Sequence, residues 1–118
     1  MKVPSTQLQT LKAEFFRALA HPIRIRLLEV LVERPDTSVQ ELQRTLRIDQ
    51  PIVSQQLARL RASGIVVATK DGTTTRYAVT DSRLRDLLFV AKQILNGRLS
   101  GMQSLLRELE RDGPPRPR

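Results

Sequence analysis

Gln50, Ser54 and Gln55 are the side chains of this sequence best placed to do chemistry on a partner. They lie in the run Asp49-Gln50-Pro51-Ile52-Val53-Ser54-Gln55-Gln56-Leu57-Ala58-Arg59-Leu60. Wound as a helix, this run puts Val53, Leu57 and Leu60 on one apolar face. Pro51, Gln55, Ala58 and Ala62 then fall opposite, flanked by Ser54 and Arg59. That outer face is small and uncharged near its start, with one long amide at its centre, so it suits close approach to base edges. A glutamine amide bonds at two points to N6 and N7 of adenine, which makes Gln55 the leading candidate for direct readout. Gln50 and Ser54 are second contacts, to a base or to a phosphate. The competing reading takes Gln50, Gln55 and Gln56 as ordinary solvated helix residues, and the surroundings of the run decide between the two.

Those surroundings are basic. Arg44 and Arg47 precede the run, Arg59 and Arg61 lie on it, and Lys70 and Arg76 follow in a polar hairpin with Thr73 and Thr74 at its tip. Across residues 37–80 six basic side chains meet three acidic ones, Glu41, Asp49 and Asp71. Cations of this kind hold phosphates, which positions a protein on DNA without reading its sequence. Lys70 and Arg76 flank a minor groove if the hairpin lies against the backbone. For any single arginine the alternative is a solvated surface charge.

Helices and a hairpin have to position these groups. A first helix begins after Ser5 or Thr6, with Leu8, Leu11, Phe15, Ala18 and Leu19 at helical spacing, and breaks at His21-Pro22. The residue before a proline is pushed out of the α region, while Pro22 suits the first turn of a second helix. There Ile23, Leu27, Leu28, Leu31 and Val32 form the apolar stripe, with Arg24, Arg26, Glu29 and Glu33 outside it, and Pro35-Asp36-Thr37 ends the helix. Ser38 and Glu41 make a capping-box pattern for a short third helix ending near Thr45-Leu46. Asp49 caps the fourth, Pro51 is tolerated in its first turn, and Gly64 stops it. Ile65–Lys70 and Arg76–Val79 are β-prone and join through residues 71–75 as a hairpin. Asp81 or Ser82 caps the last helix, which carries Leu84, Leu88, Ala91, Leu95, Met102, Leu105 and Leu109 at steps of three and four apart from a gap at Arg98. Gly97 and Gly101 each cost about 1 kcal/mol in a helix interior, which predicts fraying or a kink there.

The fold class is therefore mostly α with a small β-hairpin wing, in the order of a winged helix-turn-helix. One domain is expected over residues 1–111, with outer helices at 5–20 and 82–111, the helix-turn-helix at 38–63 and the wing at 65–80. The tail, residues 112–118, is rich in proline and has nothing to bury, so disorder is expected there.

Composition narrows the classes further. A chain of 118 residues suits a single domain, and with 3% aromatic residues its core has to be aliphatic. The net charge of +8 favours a polyanionic partner, nucleic acid or an anionic membrane surface, and is also compatible with a merely basic soluble protein. The absence of cysteine excludes disulfides, thiolate metal sites and thiol nucleophiles. No stretch approaches the ~18 apolar residues that span a bilayer, and the N-terminus lacks the apolar segment of a signal peptide, so a cytoplasmic location is expected. One histidine, no phosphate-binding glycine loop and no clustered carboxylates leave no acid–base or nucleophile pair, so no enzyme and no cofactor is expected. The charges of residues 99–111 are mixed, which argues against a lipid anchor.

Phe16-Arg17-Ala18-Leu19-Ala20-His21-Pro22-Ile23-Arg24-Ile25-Arg26-Leu27-Leu28 resembles the opening signature of the ArsR/SmtB family of bacterial repressors. The likeness continues through Ser38-Val39-Gln40-Glu41-Leu42, Val53-Ser54-Gln55-Gln56-Leu57, Leu60-Arg61 and Ser63-Gly64-Ile65-Val66, and covers roughly residues 14 to 95. The resemblance implies a homodimer that binds a palindromic operator in double-stranded DNA and is switched by an effector. It also implies a dimer interface made by the first and last helices, here Leu8, Leu11 and Phe15 with Leu84, Leu88, Ala91 and Leu95. The apolar stripe of the last helix is wider than one small domain covers easily, which agrees with that implication. The alternatives are a winged-helix module for protein–protein assembly and a non-specific nucleoid-type DNA binder.

Many proteins resembling this chain sense metals. The cysteine pair of the third helix falls on Ser38 and Gln40, and the Asp, His, His and Glu set of the last helix falls on Asp81, Arg83, Ile94 and Gly97. Only Asp81 keeps a ligand, and one carboxylate does not hold a transition metal that takes imidazole or thiolate donors. No metal site is therefore expected, and sensing falls to a small molecule or to a separate sensor or co-regulator protein, unless it is lost.

Overall fold

The computed structural model describes residues 5–112. Its elements run α1 (Ser5–Leu19), α2 (Pro22–Glu33), β1 (Thr37–Ser38), α3 (Val39–Leu46), α4 (Gln50–Ala62), β2 (Val66–Asp71), β3 (Thr74–Val79) and α5 (Leu84–Asp112). The backbone as far as Arg85 forms one compact unit, and α5 from Asp86 onward forms a second.

Local chemistry sets most of the boundaries. His21 is extended, with φ −152°, and its Nδ1 accepts the Ile23 amide at 3.1 Å, so it caps α2 while Pro22 fills the first turn. Ser38 caps α3, its hydroxyl accepting the Glu41 amide at 3.2 Å and donating to the Glu41 carboxylate at 3.1 Å. Asp49 occupies the cap position of α4, but its carboxylate bonds no helix amide. The reason lies in the first turn: Pro51 has no N–H, and the Ile52 amide is taken by the Asp49 carbonyl at 3.1 Å. Gly64, at φ +74°, turns the chain out of α4.

The sheet has three strands rather than the two of a simple hairpin, in the order β1-β3-β2, all antiparallel. Thr37 and Ser38 pair with Tyr77 and Arg76. The hairpin is also longer and tighter than expected: Asp71 pairs with Thr74, leaving Gly72 and Thr73 as a two-residue turn with Gly72 at φ +65°. Threonines read as a polar loop here extend the strand, because a β-branched side chain fits the pleated backbone.

The core of the first unit is aliphatic, as the scarcity of aromatics requires. Leu27, Leu28 and Leu31 of α2 meet Leu42 of α3 and Val53, Leu57 and Leu60 of α4, all fully buried. Leu19, Ile65, Val66 and Leu84 close its edges. α5 runs for 29 residues, its helix continuing through Gly97 and Gly101 without the expected fraying. The segment 112–118 lies outside the described residues, except for Asp112 at the end of α5.

Candidate nucleic-acid interface

Burial divides α4 into two faces. Val53, Gln56, Leu57 and Leu60 point inward, while Gln50, Pro51, Ser54, Gln55, Ala58, Arg59 and Arg61 are exposed. The inner face anchors on α2 and α3, so the core decides which side of α4 is turned outward, and Gln55 lies on that side. Gln56 departs from the competing reading that takes it as a solvated helix residue. It is 8% exposed, not solvated, and its Oε1 accepts from Arg24 Nε at 2.9 Å.

The turn between α3 and α4 is tight. Arg47 takes the left-handed conformation at φ +56°, and its amide closes on the Gln43 carbonyl at 2.8 Å. Arg26 of α2 adds to this end of α3 by donating from Nη2 to the Leu46 carbonyl at 2.8 Å. A left-handed non-glycine residue costs about 1–2 kcal/mol, and glycine at the same place loses about 0.5–1 kcal/mol of backbone entropy on folding. Arg47→Gly is therefore expected to stabilise the fold by up to about 1 kcal/mol and, at the same time, to weaken DNA binding. Denaturant unfolding and binding titrations on the one variant check the two opposite signs.

The cations separate by whether they are ion-paired. Arg44, Arg47, Arg59, Arg61 and Lys70 are exposed, and among the described residues none of them is in an ion pair. Thr73 is exposed at the wing tip and Thr74 is half-buried beside it. Arg76 does not stand free as the sequence reading had it. Its Nη1 donates to the Asp36 carbonyl and to Glu41 Oε1, both at 3.2 Å, and its Nε lies 3.5 Å from Asp71. Arg76 is thus a brace between β3, the start of α3 and the wing, with Nη1 hydrogen-bonded twice and Nε facing a carboxylate. The Ser38 hydroxyl, with the Ser38 backbone and Arg76 adding to it, holds the Glu41 carboxyl below its ordinary range.

On α1, Leu8, Leu11 and Phe15 are exposed, with Phe16 beside them. On α5, Ala91 and Leu95 are exposed and Leu88 is half-buried. Leu84 departs from the expected interface set: at 6% exposed it is a core residue and has little surface left for a partner.

At the position where the resemblance places a metal-binding aspartate, Asp81 is already occupied. Arg83 closes on it with Nη2 2.7 Å from Oδ2, and with Nε at 3.0 Å and the backbone N–H at 2.9 Å from Oδ1. The Arg83 side chain first, then its backbone N–H, pull the Asp81 carboxyl down to about 2 from 3.8. The folded value lies below the ordinary one, so the contact stabilises above the ordinary value and is lost as pH falls through about 2. Arg83→Ala is expected to return the Asp81 titration toward 3.8, read by carboxyl carbon shifts in NMR. Ser38 is buried as a helix cap, Gln40 is an exposed amide, and among the described residues no three His, Cys, Asp or Glu side chains cluster as a metal site would need.

A helix whose small polar face is turned outward by a buried opposite face, preceded by a tight turn and backed by a basic hairpin, defines a winged helix-turn-helix DNA-binding protein. Residues 21–67 match the family described as bacterial regulatory protein, arsR family. The HTH-type transcriptional regulator Rv0081 of Mycobacterium tuberculosis is 44% identical over 110 residues, covering 92% of this chain and 96% of that protein. A probable mercury resistance operon repressor of Streptomyces lividans is 41% identical over 91 residues, covering 77% of this chain and 71% of the relative. The crystal structure of M. tuberculosis Rv0081 superposes with a TM-score of 0.72 at 46% identity, over 80% of this chain and 95% of that one. The chain belongs to the arsR family of bacterial regulatory proteins: it is a transcriptional regulator, not an enzyme.

Proposed function

We propose that the protein is a repressor that binds a palindromic operator as a homodimer in the cytoplasm. Gln55 reads a base edge, with Gln50, Pro51 and Ser54 beside it, while Arg44, Arg47, Arg59, Lys70, Thr73 and Thr74 meet the phosphates. Arg76 keeps the wing in place for these contacts. The observation that carries this reading is the outward face of α4, uncharged at Gln50, Pro51, Ser54 and Gln55 and accompanied by exposed cations that make no ion pair among the described residues.

Two copies joined through the apolar faces of α1 and α5 present two α4 helices about one DNA turn, ~34 Å, apart. Leu8, Leu11, Phe15, Leu88, Ala91 and Leu95 supply that interface. The effector is a small molecule or a separate sensor protein rather than a metal at the usual family positions. The Streptomyces relative is named for mercury, but a soft metal is held by thiolates and this chain has no cysteine.

The test is a gel shift on the DNA upstream of the protein's own gene, together with selection from a randomised duplex pool, at physiological salt. A recovered two-fold symmetric site supports the reading. Binding with a steep salt dependence and no sequence preference indicates a nucleoid-type packer instead. No DNA binding at all leaves a protein–protein module.

A further inference from the structure

Arg24 lies in the first turns of α2, where its spacing puts it outside the apolar stripe, yet its guanidinium is half-buried. Nε donates to Gln56 Oε1 and Nη1 donates to the Ala18 carbonyl, each at 2.9 Å. Gln56 sits on the inner face of α4, next in sequence to Gln55, and Ala18 is in the last turn of α1. One planar cation therefore ties together the end of α1, the start of α2 and the middle of α4.

The other contacts holding α4 are aliphatic, through Val53, Leu57 and Leu60. Such contacts are non-directional and tolerate small rotations and slides of a helix. A guanidinium presents its donors in a rigid fork, so two charge-assisted hydrogen bonds fix both distance and angle. Removing it leaves the Gln56 carbonyl buried without a donor, and that side chain then has to move.

We propose that Arg24 is a positioning residue that locks the reading helix α4 to α1, and thereby sets the separation of the two α4 helices in the dimer. The proposal rests on the operator reading above, in which α1 contributes to the dimer interface. Each base pair inserted between half-sites shifts one of them by roughly 3.4 Å along the duplex and turns it about the axis. A rigid pair of α4 helices rejects that shift, whereas a loosened pair accepts it.

The experiment measures affinity of the full-length protein by fluorescence anisotropy. The probes are the operator recovered by selection, the same operator with one central base pair added or removed, and a duplex carrying one half-site. Arg24→Ala and Gln56→Met are each expected to shrink the preference for the native spacing by roughly ten-fold, the size of one charge-assisted hydrogen bond. Half-site affinity and the salt slope stay as in the native protein. The double variant is no worse than either single one, and Arg24→Lys, which reaches one acceptor rather than two, keeps part of the preference. A purely structural role would lower affinity equally on every spacing, and that result, or an unchanged preference, overturns the proposal. If Arg24→Ala does not fold, Gln56→Met carries the same test. A selection that recovers no operator overturns the operator reading itself, whereas tight operator binding with unaltered spacing preference overturns only the role of Arg24.

Discussion

Leu95→Glu is expected to give a well-folded monomer that no longer holds a full operator. Leu95 is 55% exposed and outside the buried core, so a single copy loses little by its replacement. In the proposed dimer the same position is covered by a second copy, and two-fold symmetry introduces the carboxylate twice. An unpaired charge forced into an apolar interface costs several kcal/mol, enough to dissolve the association at micromolar concentration. Each released half then binds alone and loses the gain from linking two half-sites, a factor of about 10²–10⁴ in affinity. Sedimentation velocity and anisotropy on half-site and full-site duplexes separate these effects. The variant should match the native protein on a half-site and fall far behind on the full site. A variant that remains a dimer with native operator affinity would place the interface elsewhere.

Gln55→Ala is the second large effect, and it acts on specificity. A bidentate amide contact to adenine discriminates against other bases by ~1–3 kcal/mol. A dimer carries the change in both half-sites, and well-separated positions add, so the operator loses up to about twice that amount. Base preference should relax at one position in each half-site and persist at the others. The salt slope should not change, because no phosphate contact is removed. Competition binding against a panel of single-base operator variants measures this directly. Native affinity and native preference in Gln55→Ala would move the reading surface to another face of the protein.

Elements whose signals are local were legible in the sequence. The His21-Pro22 break, the Ser38 cap, the end of α3 at Leu46 and the stop at Gly64 all follow from side chains acting on backbone a few residues away. The outward placement of Gln50, Ser54 and Gln55 was legible for the same reason, since period 3.6 and an apolar stripe suffice to tell the faces apart. Asp49 shows the limit of such rules. Its residue type and position are right for a cap, but the proline two residues later removes the donor that it would have served.

What stayed hidden depends on chain segments far apart in sequence. Two residues, Thr37 and Ser38, carry no periodicity, and they become a strand only because β3 comes alongside about forty residues later. Arg76 reads as a free cation until the fold sets Asp36 and Glu41 against it. Nothing near Gln56 in sequence marks it as buried; its partner is Arg24, 32 residues earlier, turned inward to meet it. Leu84 belongs to the apolar stripe of α5 by spacing, yet the fold buries it with the first unit's core.

By itself, then, the sequence determined the order of the elements, the aliphatic core, the exposed polar face of α4 and the absence of thiolate chemistry, because capping and periodicity act over a few residues and composition needs no fold at all. Only the tertiary structure decided which cations make no ion pair among the described residues and which are engaged as braces. A charge is engaged or free according to what lies within about 3–4 Å of it, and folding alone brings those groups together.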